Sequence, residues 1–117
     1  LKSFILEPRS RAIIPTGLFV CIPKGYEIQV RPRSGLSFKV GLTLINSPGT
    51  IDARYRDEVG LLVVNNGSEP VVITDGERIG QLVLKRVEFI NWIVKLSVKE
   101  FSDQSDRGGG TGHSGVN

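Results

Sequence analysis

Short apolar runs follow one another along most of the chain, and turn-forming residues separate them roughly every 8–12 residues. Tyr26, Ile28 and Val30 alternate with polar residues, which is the period-two pattern of a half-buried strand. Helical periodicity is hard to find. Roughly seven or eight such short strands predict an all-β fold, and we expect a single domain built as a jelly roll or distorted barrel.

Other apolar runs between turn signals supply further candidate strands, at residues 18–22, 42–45, 59–65, 71–73 and 79–84. The apolar stretch 88–98 fits either a strand or a short helix. Its Trp92 is expected to pack in the core or at an interface. Cys21 is expected to be a small buried side chain.

The composition limits the protein to one globular domain: it has 117 residues, of which 39% are hydrophobic and 23% charged. No apolar run approaches the ~20 residues that span a bilayer, and no basic-then-apolar leader is present, so we expect neither a membrane nor a secretory protein. The single Cys21 excludes an internal disulfide and a thiolate metal cluster and fits a reducing compartment, so we expect a cytoplasmic protein. Because the chain starts at Leu1 and contains no methionine, we expect the native reading frame to begin earlier.

The net charge of +3 is spread along the chain. A nucleic-acid footprint would normally be more clustered. A small polyanionic ligand fits this charge as well as a polyphosphate backbone does. A nucleic-acid-binding β module remains a third alternative, which the lack of an aromatic stripe disfavours.

The composition changes after Phe101, because residues 102–117 are rich in Gly, Ser and Asp and contain Val116 as their only aliphatic residue. Such a segment cannot contribute to a core, and its composition alone fits a disordered terminus. Fully extended, it spans on the order of 50 Å, which is enough to reach a neighbouring subunit. We therefore divide the chain into an all-β domain at 1–101 and a mobile Gly-rich C-terminal arm at 102–117.

Three Gly-containing segments carry polar groups that a hydrophobic core does not need. At Arg33–Gly35, a guanidinium, a hydroxyl and accessible backbone amides suit phosphate oxygens. Asp52 directly follows apolar Ile51, so its carboxylate is expected to be partly desolvated and able to take a proton from a water molecule. Tyr55 is placed to present its ring to a sugar or a base.

The third segment, 106–115, offers Arg107 and a run of unhindered glycine amides that would suit a polyphosphate. It lacks the strand–GxxxxGK[ST]–helix context of a P-loop, so an NTPase of that class is not expected. Taken singly, the three segments also fit a solvated turn, an aspartate in a turn beside a packed tyrosine, and a frayed terminus. Their order in one chain is more informative than any one of them.

In this order the segments resemble the motifs of the trimeric deoxyuridine triphosphate nucleotidohydrolases, the dUTPases. The matching stretches are Arg31–Leu36 for the second motif, Asn46 with Gly49–Asp52 and Tyr55-Arg56 for the third, Gly76–Leu82 for the fourth and Arg107–Gly115 for the fifth. The first motif has no counterpart, and Thr111 stands where relatives usually place a Phe. The resemblance covers nearly the whole chain.

The resemblance implies a jelly-roll protomer, a homotrimer with active sites shared between subunits, and no nucleic-acid or membrane partner. It implies hydrolysis of dUTP to dUMP and pyrophosphate by attack of water on the α-phosphorus, with Asp52 as the general base. This reaction would limit uracil incorporation into DNA and supply dUMP for dTMP synthesis. Mg²⁺ would be bound mainly through the substrate phosphates and water, and no protein metal ligand is named.

The resemblance also implies a set of substrate contacts. Tyr55 would pack against the deoxyribose and reject UTP, while Asn46 would recognise the uracil edge together with the backbone of Thr50 and Ile51. The residues expected to hold the phosphates are Arg33, Ser34, Gly35 and Gln81 of the domain, joined by Arg107, Gly109, Gly110 and Ser114 from the arm of another subunit.

Two related alternatives remain open. A dCTP deaminase of the same superfamily would need a carboxylate shortly after the third motif, where Gly60–Asn65 contains no acid. A catalytically impaired dUTPase-like trimer that binds nucleotide is favoured by the absent first motif and by Thr111. The presence of Asp52 and Tyr55 argues against it.

Overall fold

The computed structural model describes residues 2–101, which form eight β-strands, one α-helix and a short 3₁₀ turn at Val98–Glu100. The strands are β1 (Ser3–Leu6), β2 (Arg11–Pro15), β3 (Tyr26–Pro32), β4 (Leu42–Leu44), β5 (Gly49–Ile51), β6 (Gly60–Asn65), β7 (Val71–Thr74) and β8 (Gly80–Arg86), and the helix is α1 (Ser34–Val40). The predicted all-β class is confirmed. Among these residues, no helix has the length and apolar character needed to cross a membrane.

The strands pair antiparallel in three small sheets, ordered β1-β7, β2-β6-β4 and β5-β3-β8, so the described strands form separate sheets rather than one closed barrel. One cluster of buried apolar side chains forms the core: Leu6, Ile22, Val30, Leu42, Leu44, Ile51, Val59, Leu61, Val63, Ile73 and Ile79. Because all three sheets contribute side chains to this cluster, they are packed together as one unit.

β3 is the strand that organises the candidate site. Its register with β8 runs from Tyr26 opposite Arg86 to Pro32 opposite Gly80, and β5 pairs along its other edge. The strand predicted from the alternating pattern is confirmed, with Val30 buried in the core. The loops that follow β3 and β5 are therefore placed by one three-stranded sheet.

α1 is an element that the sequence analysis missed. None of its residues is fully buried, and Leu36 is its one apolar side chain packed against the core, so the helix has no continuous apolar stripe and leaves no helical period in the sequence. It ends at Gly41, which has a φ of +77°. A Cβ at Gly41 would collide with the backbone of Gly67, and a Cβ at Gly67 would collide with the carbonyl of Val40. The end of the helix therefore needs glycine at both positions.

The strand predicted at 18–22 is wrong, because residues 16–23 are irregular. Gly17 has a φ of +73° and Pro23 has no N–H to donate, so this run does not extend a sheet. Cys21 is exposed, so the prediction of a buried thiol is also wrong. The segment runs over the surface and turns its neighbour Ile22, rather than Cys21, into the core.

The ambiguous stretch 88–98 forms neither a strand nor a helix before the 3₁₀ turn. The chain leaves the sheet after Val87, whose N–H donates to the carbonyl of Gly25 (2.9 Å). Beyond this point the apolar side chains find no core of their own, and Trp92 is 83% exposed. Trp92 therefore does not pack in the core of its own chain. We refer to residues 88–101 as the exposed stretch.

Candidate active site

The turn that follows β5 holds Asp52 in a defined orientation. Its carboxylate Oδ1 accepts a hydrogen bond from the backbone N–H of Arg54 (2.8 Å), and its carbonyl accepts one from the N–H of Tyr55 (3.2 Å). This is the turn that a short acidic side chain stabilises by bonding to the backbone two residues on. The second carboxylate oxygen, Oδ2, is not used by these bonds.

The side chain of Asp52 is exposed in the single chain, so the expected partial desolvation is wrong for one copy. Ile51 is buried as the last residue of β5, but Asp52 lies beyond the sheet edge, where the chain turns away from the core. The exposed carboxylate can therefore meet a water molecule and a ligand without any change in the core.

Tyr55 is fixed at both ends of its side chain. Its half-buried ring packs against the hydrophobic core, and its hydroxyl donates a hydrogen bond to the carbonyl of Glu58 (2.6 Å). Arg56 folds back on the same turn, where its Nη1 donates to the carbonyls of Ala53 and Tyr55 (2.9 Å each). Asp52 and Tyr55 consequently line the same open depression in a fixed arrangement.

Asn46 lies in the bend before β5, and its side chain is exposed. Gly49 is buried beside it, and a Cβ at Gly49 would lie 3.0 Å from Nδ2 of Asn46, so glycine leaves room for this amide. Thr50 and Ile51 follow in β5, with Thr50 exposed and Ile51 buried. The Asn46 amide and the Asp52 carboxylate therefore lie at opposite ends of β5.

A second group of predicted residues lies where β3 ends. Gln81 of β8 is opposite Arg31, and its Nε2 donates to the carbonyl of Pro32 (3.0 Å) across 49 positions of sequence. Arg33–Gly35 follow directly, and all three residues are exposed. The β3–β8 pairing thus brings the phosphate-binding residues predicted in the domain to one place.

One chain does not bring the two groups together. β5 ends with Ile51 opposite Ile28, and continuing this register puts Asp52 level with Glu27, near the start of β3. Arg33 lies six residues further along, beyond the other end of the strand. At a rise of ~3.3 Å per residue this separation is about 20 Å. Asp52 and Arg33 of the same chain therefore cannot contact one phosphate group.

The carboxylates near this turn do not form a metal cage. Within residues 2–101, no three or more His, Cys, Asp or Glu side chains are grouped so that they could hold a metal ion. A hard cation at this site would need further oxygen ligands, of the kind that phosphates and water provide.

Comparison with known proteins decides the family. A family model described as dUTPase matches residues 1–115. The chain belongs to the dUTPase family. The deoxyuridine 5'-triphosphate nucleotidohydrolase of Desulfotalea psychrophila is 52% identical over 112 residues, covering 95% of this chain and 72% of the relative. The enzyme of the same name from Finegoldia magna is 49% identical over 110 residues, covering 94% of this chain and 75% of the relative.

Solved dUTPase structures share the fold of this family member. The dUTPase of Staphylococcus bacteriophage 80alpha with dUpNHpp matches with a TM-score of 0.79 at 31% identity, over 98% of this chain and 82% of that chain. A mutant dUTPase of phage phi11 of S. aureus, described for its coordination of a structural Mg(II) ion, matches with a TM-score of 0.71 at 25% identity, over 84% and 80%. The predicted dUTPase resemblance is confirmed by these matches.

Some parts of the candidate site were missed or lie elsewhere. The predicted arm residues Arg107, Gly109, Gly110 and Ser114 lie outside the described part of this dUTPase-family chain.

Sequence reasoning missed the contact that supports the carbonyl bound by Tyr55, where Glu58 Oε2 accepts a hydrogen bond from the N–H of Gly17 (3.1 Å). These two residues are 41 positions apart, and no local pattern links them. The position of Arg56 directly after Tyr55 was the one signal for its role in the turn.

Proposed function

We propose that the protein hydrolyses dUTP to dUMP and pyrophosphate, which limits uracil incorporation into DNA and supplies dUMP for dTMP synthesis. Membership of the dUTPase family and the names of its relatives support the substrate. The observation that carries the mechanism is the turn at Asp52, where the backbone holds one carboxylate oxygen and leaves the other outside those bonds.

In the proposed reaction, Oδ2 of Asp52 accepts a proton from a water molecule while the water oxygen attacks the α-phosphorus. The bond from this phosphorus to the bridging oxygen breaks, and its electron pair leaves with pyrophosphate. Phosphoryl transfer requires mainly alignment and charge stabilisation from the protein. The bond from the Arg54 N–H to Oδ1 supplies alignment, since it restricts rotation of the carboxylate.

Substrate selection is assigned to the residues around the same turn. Tyr55 would lie against the deoxyribose and leave no room for a 2'-hydroxyl, and its fixed ring supports this role. Asn46 would recognise the uracil edge with the backbone of Thr50 and Ile51. A site built around specific hydrogen bonds strongly rejects a base that leaves them unpaired.

The triphosphate carries about four negative charges near neutral pH, so its binding depends on donors and cations. The donors proposed at the end of β3 are Arg33, Ser34, Gly35 and Gln81, which the β3–β8 pairing places together. We also assign Arg107, Gly109, Gly110 and Ser114 to an arm at 102–117 that closes over the nucleotide of a neighbouring subunit.

Mg²⁺ is the metal that fits this arrangement, and a similar phage dUTPase is described with a structural Mg(II) ion. The described residues provide no cage of protein ligands, which fits an ion held through triphosphate oxygens and water. When bound there, Mg²⁺ would neutralise part of the phosphate charge.

We further propose a homotrimer in which each site combines residues from different copies. The separation of about 20 Å between Asp52 and Arg33 along β3 supports this arrangement, since one chain cannot supply both. The exposed stretch supports it as well, because neighbouring exposed apolar side chains that form a continuous patch mark a protein interface. Its exposed large apolar side chains are Phe89, Ile90, Trp92, Ile93, Val94, Leu96, Val98 and Phe101.

Replacement of the proposed base tests the mechanism. Asp52→Asn should lower kcat for dUTP by at least about a hundredfold, because the amide cannot accept the proton from water. It should still bind the non-hydrolysable dUpNHpp, measured by calorimetry. Asp75→Asn, in an exposed turn between β7 and β8, is the matched control and should retain full activity.

The products separate this proposal from its alternatives. Pyrophosphate release from dUTP by the unmodified protein supports it, whereas ammonia release from dCTP would identify a deaminase. Binding of dUTP without any turnover would identify an impaired nucleotide-binding trimer.

A further inference from the structure

Hydrogen bonds link the hydroxyl of Tyr55, in the proposed site, to a segment that is distant in the sequence. It donates to the carbonyl of Glu58 (2.6 Å), and Glu58–Val59 is in turn joined to Thr16–Leu18. Four hydrogen bonds connect these two short segments. None of the residues in Thr16–Leu18 belongs to a segment assigned to substrate contact.

Thr16 is the centre of this connection. Its Oγ1 donates to the carbonyl of Val59 (2.6 Å) and accepts from the N–H of Leu18 (3.1 Å). Val59 is 1% exposed, so its backbone is anchored in the core. On the other side, the carboxylate Oε2 of Glu58 accepts from the N–H of Gly17 (3.1 Å). The carbonyl that receives the Tyr55 hydroxyl is therefore held through its own side chain and through the next residue.

We propose that Thr16 and Glu58 are positioning residues for sugar specificity. By fixing the carbonyl that accepts the Tyr55 hydroxyl, they prevent the ring from moving aside when a ribonucleotide presents its 2'-hydroxyl. This inference rests on the proposed function, in which Tyr55 lies against the deoxyribose.

The reason is mechanical. UTP differs from dUTP by one hydroxyl group, and a pocket that only fits closely rejects an added hydroxyl by roughly a hundredfold. Even this rejection requires that the Tyr55 ring stays in position. If the ring can shift slightly, the 2'-hydroxyl of UTP fits into the pocket with little loss of binding free energy. Packing against the core holds one face of the Tyr55 ring, and the bond to Glu58 holds its far end.

The test compares kcat/KM for dUTP and for UTP in Thr16→Val and Thr16→Ser. Valine keeps the shape of threonine but removes the hydroxyl that bonds to Val59 and Leu18, whereas serine keeps this hydroxyl. We expect Thr16→Val to lower the dUTP/UTP ratio roughly three- to tenfold, which corresponds to the net free energy of about one of its two lost hydrogen bonds. The change should arise from faster use of UTP, and Thr16→Ser should keep the ratio of the unmodified protein.

Tyr55→Phe provides a second, independent measurement, because it removes the bond to Glu58 and keeps the ring. Its dUTP/UTP ratio should fall in the same direction. If both changes act through one chain of hydrogen bonds, the double variant should show the ratio of the stronger single variant rather than the product of both effects.

An unchanged ratio in both Thr16→Val and Tyr55→Phe would overturn the inference. So would an equal loss of kcat/KM for the two nucleotides, since this would show that Thr16 only supports the fold. If the unmodified protein fails to hydrolyse dUTP, the proposed function falls separately. In that case, calorimetry of dUMP and UMP binding to the same variants tests this inference through the ratio of the two affinities. Equal affinities of the unmodified protein for dUMP and UMP would contradict it.

Discussion

Asn65 joins three parts of the chain through one side chain that is 0% exposed. Its Nδ2 donates to the carbonyls of Leu6 and Glu69 (2.9 Å each), and its Oδ1 accepts from the N–H of Gly67 (2.8 Å). A buried amide with all of these partners is stabilising, but each partner becomes costly when the amide is removed. The end of β1 and the connection from β6 to β7 therefore depend on this residue.

Removal of this amide should destabilise the protein strongly. Asn65→Ala leaves two carbonyls and one N–H without their partner, and we expect the free energy of unfolding to fall by about 2–4 kcal/mol. Asn66→Ala, at the exposed neighbouring position, should change it by less than about 0.5 kcal/mol. Urea unfolding at one fixed protein concentration measures both, and equal effects would contradict the assigned role.

Some properties of single residues could be predicted from the sequence, and others could not. The identity of Asp52 and Tyr55 as candidate site residues followed from their motif, because residue type and spacing are local properties. The exposure of Asp52 and Cys21 could not be obtained this way, since it depends on where the sheet edge and the surface segment end up. One partner of Asn65, Leu6, is 59 positions away, and no local pattern reveals it.

At the scale of elements, a contact between two glycines holds the end of α1, and Leu36 is the one side chain of the helix that packs against the core. Gly41 ends the helix in the left-handed region, and its Cα lies against the backbone of Gly67 in the turn after β6. Asn66 adds a hydrogen bond from its N–H to the carbonyl of Gly41 (2.8 Å). The helix that carries Ser34 and Gly35 is thereby tied to a different sheet.

A methyl group at this contact should be far more damaging than one in open space. Gly41→Ala adds both a strained φ and a collision with Gly67, so we expect a loss of at least about 3 kcal/mol in the free energy of unfolding. Gly76→Ala is the matched control, because Gly76 has a φ of +89° and nothing within 4 Å of a Cβ. It should lose only about 1–2 kcal/mol. Comparable losses in thermal and urea unfolding would show that the contact with Gly67 is unimportant.

The strands were easier to predict than the other elements, for a physical reason. β3 and β6 carry apolar residues that pack on a core, and this leaves a pattern in the sequence. α1 has no buried residue and leaves no such pattern. The runs at 18–22 and 88–98 are rich in apolar residues but form no strand. Apolar residues indicate that a segment is buried or covered by a partner, and they do not determine the type of backbone structure.

At the scale of the whole molecule, β3 separates the two halves of the proposed site. Asp52 lies level with one end of the strand, while Arg33 and Gln81 lie at the other. In the proposed trimer, one copy would supply the carboxylate and another the phosphate donors. The sequence showed all four motifs, but it could not show which of them act from the same copy.

Mixing inactive variants tests this division. Asp52→Asn and Arg33→Ala should each be inactive or nearly so, but trimers refolded from an equal mixture should recover roughly a quarter of the normal activity. This fraction follows because random assembly gives that share of sites both intact residues. Pyrophosphate release measures the recovery, and native mass spectrometry verifies that mixed trimers have formed.

The matched control mixes Arg33→Ala with Gln81→Ala. These two residues act from the same end of the same chain, so no site in a mixed trimer contains both intact side chains. This mixture should recover no activity above that of the two separate variants. Recovery in the control, or none in the first mixture, would contradict the proposed sharing.

In the proposed trimer, the exposed stretch would make the stability of this protein depend on its concentration. A newly synthesised copy carries an exposed tryptophan and several exposed aliphatic side chains, which the other two copies would cover. Association would then stabilise the native state by mass action, so the protein would be hardest to unfold where it is most concentrated. Folding and assembly would be one event, and a cell that makes too few copies would leave each of them vulnerable to proteases and to aggregation.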